Sequence, residues 1–178
     1  MKAKLPALLF SLLTLIGSAS AATETPFDAA FQQFQIAQRD DAGIEASVEQ
    51  FTKLLAAEPG SPLLMAYTGA ATTLRARAAM MPWKKMSHAE DGLAQIDKAL
   101  QLLQPQHDQQ LHRGTAVSLE TRFIAANTFL SLPSMFNRAA RGAKLLADVQ
   151  ASPMFAQAPA GFQNAVRERA AKLAKDAK

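Results

Sequence analysis

Ser61–Pro105 reads SPLLMAYTGAATTLRARAAMMPWKKMSHAEDGLAQIDKALQLLQP, and this stretch decides the fold. Ser61-Pro62 places a hydroxyl at the N-cap and a proline at the first helical position, which starts a helix. That helix runs to about Ala79 and stops at Met81-Pro82-Trp83, because proline supplies no amide hydrogen and clashes with the preceding turn. Ser87 followed by Glu90 forms a capping box for a second helix, from about His88 to Leu103. Leu93, Ile96, Leu100 and Leu103 recur on one face of it. Gln104-Pro105 closes the unit, so the stretch is a pair of helices joined by a short turn.

Working outward, the same pattern recurs. Asp108 can cap a second long helix, from about Gln109 to Leu130, carrying Leu111, Gly114, Val117, Phe123 and Ile124. Leu132-Pro133 ends it, Phe136 follows as Trp83 follows Pro82, and an amphipathic helix continues to about Gln150. The two copies align Gly69 with Gly114, Pro82 with Pro133, and Gly92 with Gly142. Upstream, Thr25-Pro26 starts a helix with Phe27, Phe31 and Phe34 on one face. Asp40–Gly43 interrupts the chain, Ile44, Val48, Phe51, Leu54 and Leu55 form the next stripe, and Glu58-Pro59-Gly60 ends it. Downstream, a Pro-containing linker leads into a last helix from about Ala160 to Ala177, with Phe162, Val166 and Leu173 inward and Lys172 outward. No stretch shows the strict alternation of a strand. The reading is all-α: antiparallel helical hairpins stacked as a short solenoid, about seven helices, the last a C-terminal cap. Repeated helix pairs more often bind other molecules than catalyse.

Lys53-Leu54-Leu55-Ala56-Ala57-Glu58-Pro59 and Asp97–Pro105 each run an apolar helix into a proline, and Tyr67 and Gly69 follow Pro59 at the distance where a small residue is wanted. In these features residues 44–150 resemble the tetratricopeptide-repeat superfamily. The period exceeds the usual 34 residues, so the resemblance is to a divergent member. It implies a scaffold that holds a protein or peptide partner on the concave face formed by the first helices of each pair. It implies no cofactor and no reaction, and it specifies no individual binding residue.

Residues 1–21 have the three parts of a secretory signal. Lys2 and Lys4 are the basic start, Leu5–Ile16 the apolar middle, and Ala19-Ser20-Ala21 the cleavage site. The apolar run is well short of the ~20 residues that span a bilayer. Cleavage after Ala21 is expected, leaving residues 22–178 as one helical domain, with a bacterial periplasm as the destination. The chain has no cysteine, so packing rather than disulfides must hold the fold in an oxidising compartment. The net charge is +4, but Lys2 and Lys4 supply half of it, and the remaining balance gives no support to nucleic-acid binding.

Chemistry-bearing residues are few. Met80, Met81, Met86 and His88 surround Pro82 and Trp83, and thioether and imidazole donors suit Cu(I) or Ag(I). Against that alternative, Met fills irregular gaps at helix turns, and Trp83 is expected to plug the end of the hairpin. His107 and His112 are not spaced to share a helix face, no nearby carboxylate completes a metal set with them, and both are expected in solvent. No zinc, phosphate-loop or nucleophile-elbow motif is present, so no catalytic residue is assigned. Arg75, Arg77, Lys84, Arg113 and Arg138 gather near the helix turns or on the long helix between them. They are the candidate surface for a carboxylate-bearing partner. Asn127, within an apolar run, is expected to be buried, where it would fix a neighbouring helix or contact a ligand, and the structural role is the favoured one. Self-association without a separate ligand is a further alternative.

Overall fold

Thr25 opens the first helix as its sequence requires, its hydroxyl accepting from the Asp28 amide at 3.1 Å, with Pro26 in the first turn. The computed structural model describes residues 25–176, so the signal-like segment lies outside the described residues. Seven helices follow in order among these residues: α1 (Pro26–Ala37), α2 (Ile44–Ala57), α3 (Pro62–Ala78), α4 (Pro82–Gln101), α5 (Val117–Ser131), α6 (Ala139–Ala151) and α7 (Ala160–Asp176). The expected all-α architecture is present. Ser61 caps α3, accepting from the Leu64 amide, while Pro82 and Pro133 separate the helices of the second and third pairs.

Consecutive helices pair antiparallel. In the α3/α4 pair, Gly69 lies against Gly92 and Ile96, and Thr73 lies against Gly92. The partner number falls as the chain advances, which fixes the direction. A Cβ on Gly92 would sit 2.5 Å from the Gly69 carbonyl oxygen, so the two backbones meet where neither residue has a side chain. Gly142 does the same work in the α5/α6 pair, against Ala126, Phe129 and Leu130. The Gly92–Gly142 correspondence therefore has a common physical cause.

First helices of successive pairs run parallel to one another. Tyr67 near the start of α3 meets Phe27, Phe31 and Phe34 of α1, and Arg77 near its end donates to the Ala37 and Gln38 carbonyls that close α1. Similarly, the ring of Phe123 on α5 meets Phe162 on α7, and Ser131 at the end of α5 meets Arg169 further along α7. Helices α3 and α5 are buried on nearly all sides, as helices in the middle of a stack must be. One apolar cluster joins α1 to α5 and a second joins α5 to α7, with α5 as the shared wall.

Several local expectations are corrected. Residues 105–116 do not begin the long helix. They form a 3-10 turn (Pro105–Asp108) and a small hairpin in which β1 (Leu111–His112) pairs antiparallel with β2 (Thr115–Ala116). Asp108 thus caps nothing at α5, whose N-cap is Ala116. Arg113 and Gly114 are the two turn residues, both at positive φ (48° and 77°), as a tight two-residue hairpin demands. Gly114 is therefore a turn glycine and not the counterpart of Gly69. Helix α4 starts at Pro82, so Ser87 lies inside it and bonds Asp91 rather than capping. Trp83 plugs nothing and is 67% exposed. Proline at the first helical position starts the helix there and removes the need for a later start.

Candidate functional site

Glu120 stands on the first turns of α5 with its side chain only 5% exposed. It accepts hydrogen bonds from the Tyr67 hydroxyl at 2.7 Å and from Arg113 Nη2 at 2.8 Å, and His112 Nδ1 lies 3.1 Å away. A buried carboxylate is unfavourable unless paired and hydrogen-bonded, and here three groups converge on it. Burial alone would raise its pKa; the hydrogen bonds from His112 and Tyr67 and the charges of Arg113 and His112 outweigh that and hold it below the usual carboxylate range. Tyr67 is pushed well up, by burial and by the adjacent negative charge.

The hairpin builds this knot. Its turn holds Arg113 in the left-handed region, which β-carbon sterics disfavour, and aims the guanidinium at Glu120. The same guanidinium lies 4.7 Å and 4.2 Å from the ring centroids of Phe27 and Phe31, a cation–π arrangement. Asp28 approaches it at 3.8 Å. Tyr67 is stacked on Phe51 at 4.9 Å and edge-on to three further Phe rings. Helices α1, α3 and α5 and the hairpin are thereby tied at one end. His112 is half-buried against the Phe27 ring and has a carboxylate partner, which corrects the expectation of an isolated, solvated histidine.

Beside the knot opens a cleft of about 1490 Å³. Its walls are the first helices of the pairs, with α7 as the fourth wall. Phe31 and Phe34 come from α1, Tyr67, Ala70 and Thr73 from α3, and Phe123, Ile124 and Asn127 from α5, while α7 contributes Phe162, Ala165 and Arg169. Helix α4 adds only its start, at Pro82, Lys85, Met86 and Ala89. Asn127 is half-exposed and faces this space, correcting the expectation of a buried structural amide.

The candidate basic residues do not form one surface. Arg77 and Arg113 border the cleft, and both are engaged internally, Arg77 with Asp41 at 2.6 Å. Arg75 makes a two-point pair with Glu45 of α2. Arg138 and Arg141 share Asp97, tying α6 to α4. Lys84 is exposed at the start of α4. The methionines of the alternative soft-metal reading are also dispersed: Met80 is 92% exposed, Met86 lines the cleft, and His88 lies near enough to Glu45 to bear on its charge. Among the described residues no group of three or more His, Cys, Asp or Glu is placed to hold a metal ion, and no helix is long and apolar enough to cross a membrane.

Glu120 escaped sequence reasoning because its neighbours Leu119 and Thr121 give it the look of an ordinary helical surface carboxylate. Its main partner is 53 residues away in sequence. The one local signal was Arg113-Gly114, a two-residue turn between Leu111-His112 and Thr115-Ala116. Comparison with protein-family models, with curated proteins and with solved structures finds no match.

Proposed function

We propose that this chain is an exported, non-catalytic scaffold of tetratricopeptide-like hairpins that holds a segment of a protein partner in the cleft between α1, α3, α5 and α7. The observation that carries the reading is the cleft itself. It is walled by the first helices of each pair, and at about 1490 Å³ it exceeds the ~300–1,000 Å³ usual for small-molecule pockets. The Glu120 knot ties α1, α3 and α5 together before anything binds, which lowers the ordering cost of association. Glu120 resembles a catalytic carboxylate in its burial, but three partners engage it at once, Tyr67 from α3 and His112 and Arg113 from the hairpin, which suits a tie more than a reacting group.

A photo-reactive residue at Asn127, facing the cleft, tests this against one at Glu49 on the outer face of α2. Cross-linking of a periplasmic partner from Asn127 and not from Glu49 supports the scaffold. Equal labelling from both positions, or none from either, removes it. The export part has its own test: intact mass of the periplasmic protein should correspond to a chain beginning at Ala22. The exposed apolar side chains Met81, Trp83 and Met135 favour self-association as a second reading. Light scattering across a concentration series separates the two.

A further inference from the structure

The cleft is divided along its length. Because α1 and α3 run parallel, and α5 and α7 likewise, each pair places corresponding parts at the same end. Phe162 comes from the start of α7 and Phe31 and Phe123 from the middles of α1 and α5, with Phe31 under the Arg113 guanidinium and Phe123 against Phe162. The later turns supply Arg39, Arg169 and Lys172, and the start of α4 brings Lys85. Among the described residues none of these four cations forms an ion pair, in contrast to Arg77 and Arg113. The carboxylates near this end are Glu168, in the wall, Asp41, paired with Arg77, Asp40, adjacent to Arg39 in the chain, and Asp176, further along α7.

Two details argue that these cations are not merely completing helix ends. Lys85 stands at the beginning of α4, where no acidic residue is present and where the helix dipole disfavours positive charge. Arg169 has its Nε buried with no acceptor, and its guanidinium reaches only Ser131 Oγ, at 3.4 Å. Burial lowers its pKa. A buried donor without an acceptor is unfavourable, and an anion at this end would supply one.

Resting on the scaffold reading, we infer that the occupant is an acidic segment of a partner protein bearing aromatic or long apolar side chains. Its apolar side chains lie against Phe31, Phe123 and Phe162, and its carboxylates meet Arg39, Lys85, Arg169 and Lys172. Charge steers the segment into the cleft and sets its direction, and the aromatic end holds it.

Fluorescence anisotropy with three labelled synthetic peptides tests this: one of Glu and Phe, one with Lys replacing Glu, and one with Ala replacing Phe. The Glu/Phe peptide should bind tightest, and each of the others about tenfold weaker or more, equivalent to about 1.4 kcal/mol. Arg169→Glu with Lys172→Glu should weaken the Glu/Phe peptide by a similar factor or more. Arg169→Gln with Lys172→Gln, a gentler change, should weaken it less, and Lys144→Glu on α6 should leave it unchanged. Circular dichroism melts check that each variant is folded. Equal binding of the Lys/Phe and Glu/Phe peptides, both blocked by Asn127→Trp, would overturn the acidic partner and keep the scaffold. No binding by any of the three would remove both.

Discussion

Replacing Glu120 by Ala should destabilise this protein more than any other single change to a charged side chain. The carboxylate is 5% exposed and accepts from Tyr67 at 2.7 Å and Arg113 at 2.8 Å, with His112 at 3.1 Å. Removing one member of a buried pair costs about 3–5 kcal/mol, because the remaining groups stay desolvated without a partner. Arg113 and His112 are 35% and 27% exposed and can recover some water, which places the loss near the low end, about 3 kcal/mol. For a domain of this size that corresponds to a fall in Tm of about 6–12 °C. Tyr67→Phe removes only one bond to a charged acceptor, about 1.5–3 kcal/mol. The two changes share that bond, so the double variant should lose less than the sum of the singles by about 1–2 kcal/mol. Urea unfolding followed by circular dichroism measures all four corners of the cycle. A Glu120→Ala loss below about 1 kcal/mol, or strict additivity with Tyr67→Phe, would refute the knot as the tie between α1, α3 and α5.

Acid should act on the same group. Glu120 has a folded pKa below its unfolded value near 4.3, so its contribution is present above that value and is lost as pH falls through the folded one. The stability gap between the wild type and Glu120→Gln should narrow below about pH 4.3; a constant gap down to pH 3 would contradict the assignment. Gly92→Val should cost about 1–3 kcal/mol by overpacking, since even a Cβ there would meet the Gly69 carbonyl oxygen at 2.5 Å; an unchanged melt would show that α3 and α4 can separate freely. Trp83, the one tryptophan, should fluoresce with a solvent-like maximum that barely moves on unfolding. A blue-shifted maximum that reddens on dilution would instead show the exposed end covered by a second copy.

How much of this could be read in advance varies with the range of the interactions. The starts at Thr25-Pro26 and Ser61-Pro62, and the breaks at Pro82 and Pro133, depend on a few adjacent residues. Sequence expectation and structure agree there to within a few residues. Gly92 and Gly142 were visible as a repeated pair, because each marks a close helix contact. Ser87 was misread because Pro82 had already started the helix. Asp108 was misread because two residues of ladder on either side of Arg113-Gly114 are too short to show alternation. The outward direction of Trp83 and the half-exposed position of Asn127 depend on which neighbours pack where, which no local pattern contains.

The sequence by itself determined the all-α class, the seven helices among the described residues, the caps at Thr25 and Ser61, the proline breaks and the apolar faces, because hydrogen bonds within a helix and proline's missing amide act over a few residues. Only the tertiary structure decided the Glu120 knot, the cleft and the separation of its aromatic and cationic ends. Tyr67 meets Glu120 across 53 residues of chain, and Phe31, Phe123 and Phe162 come from three different helices. Juxtapositions of that kind follow from the stacking of helix pairs and not from any one pair's sequence.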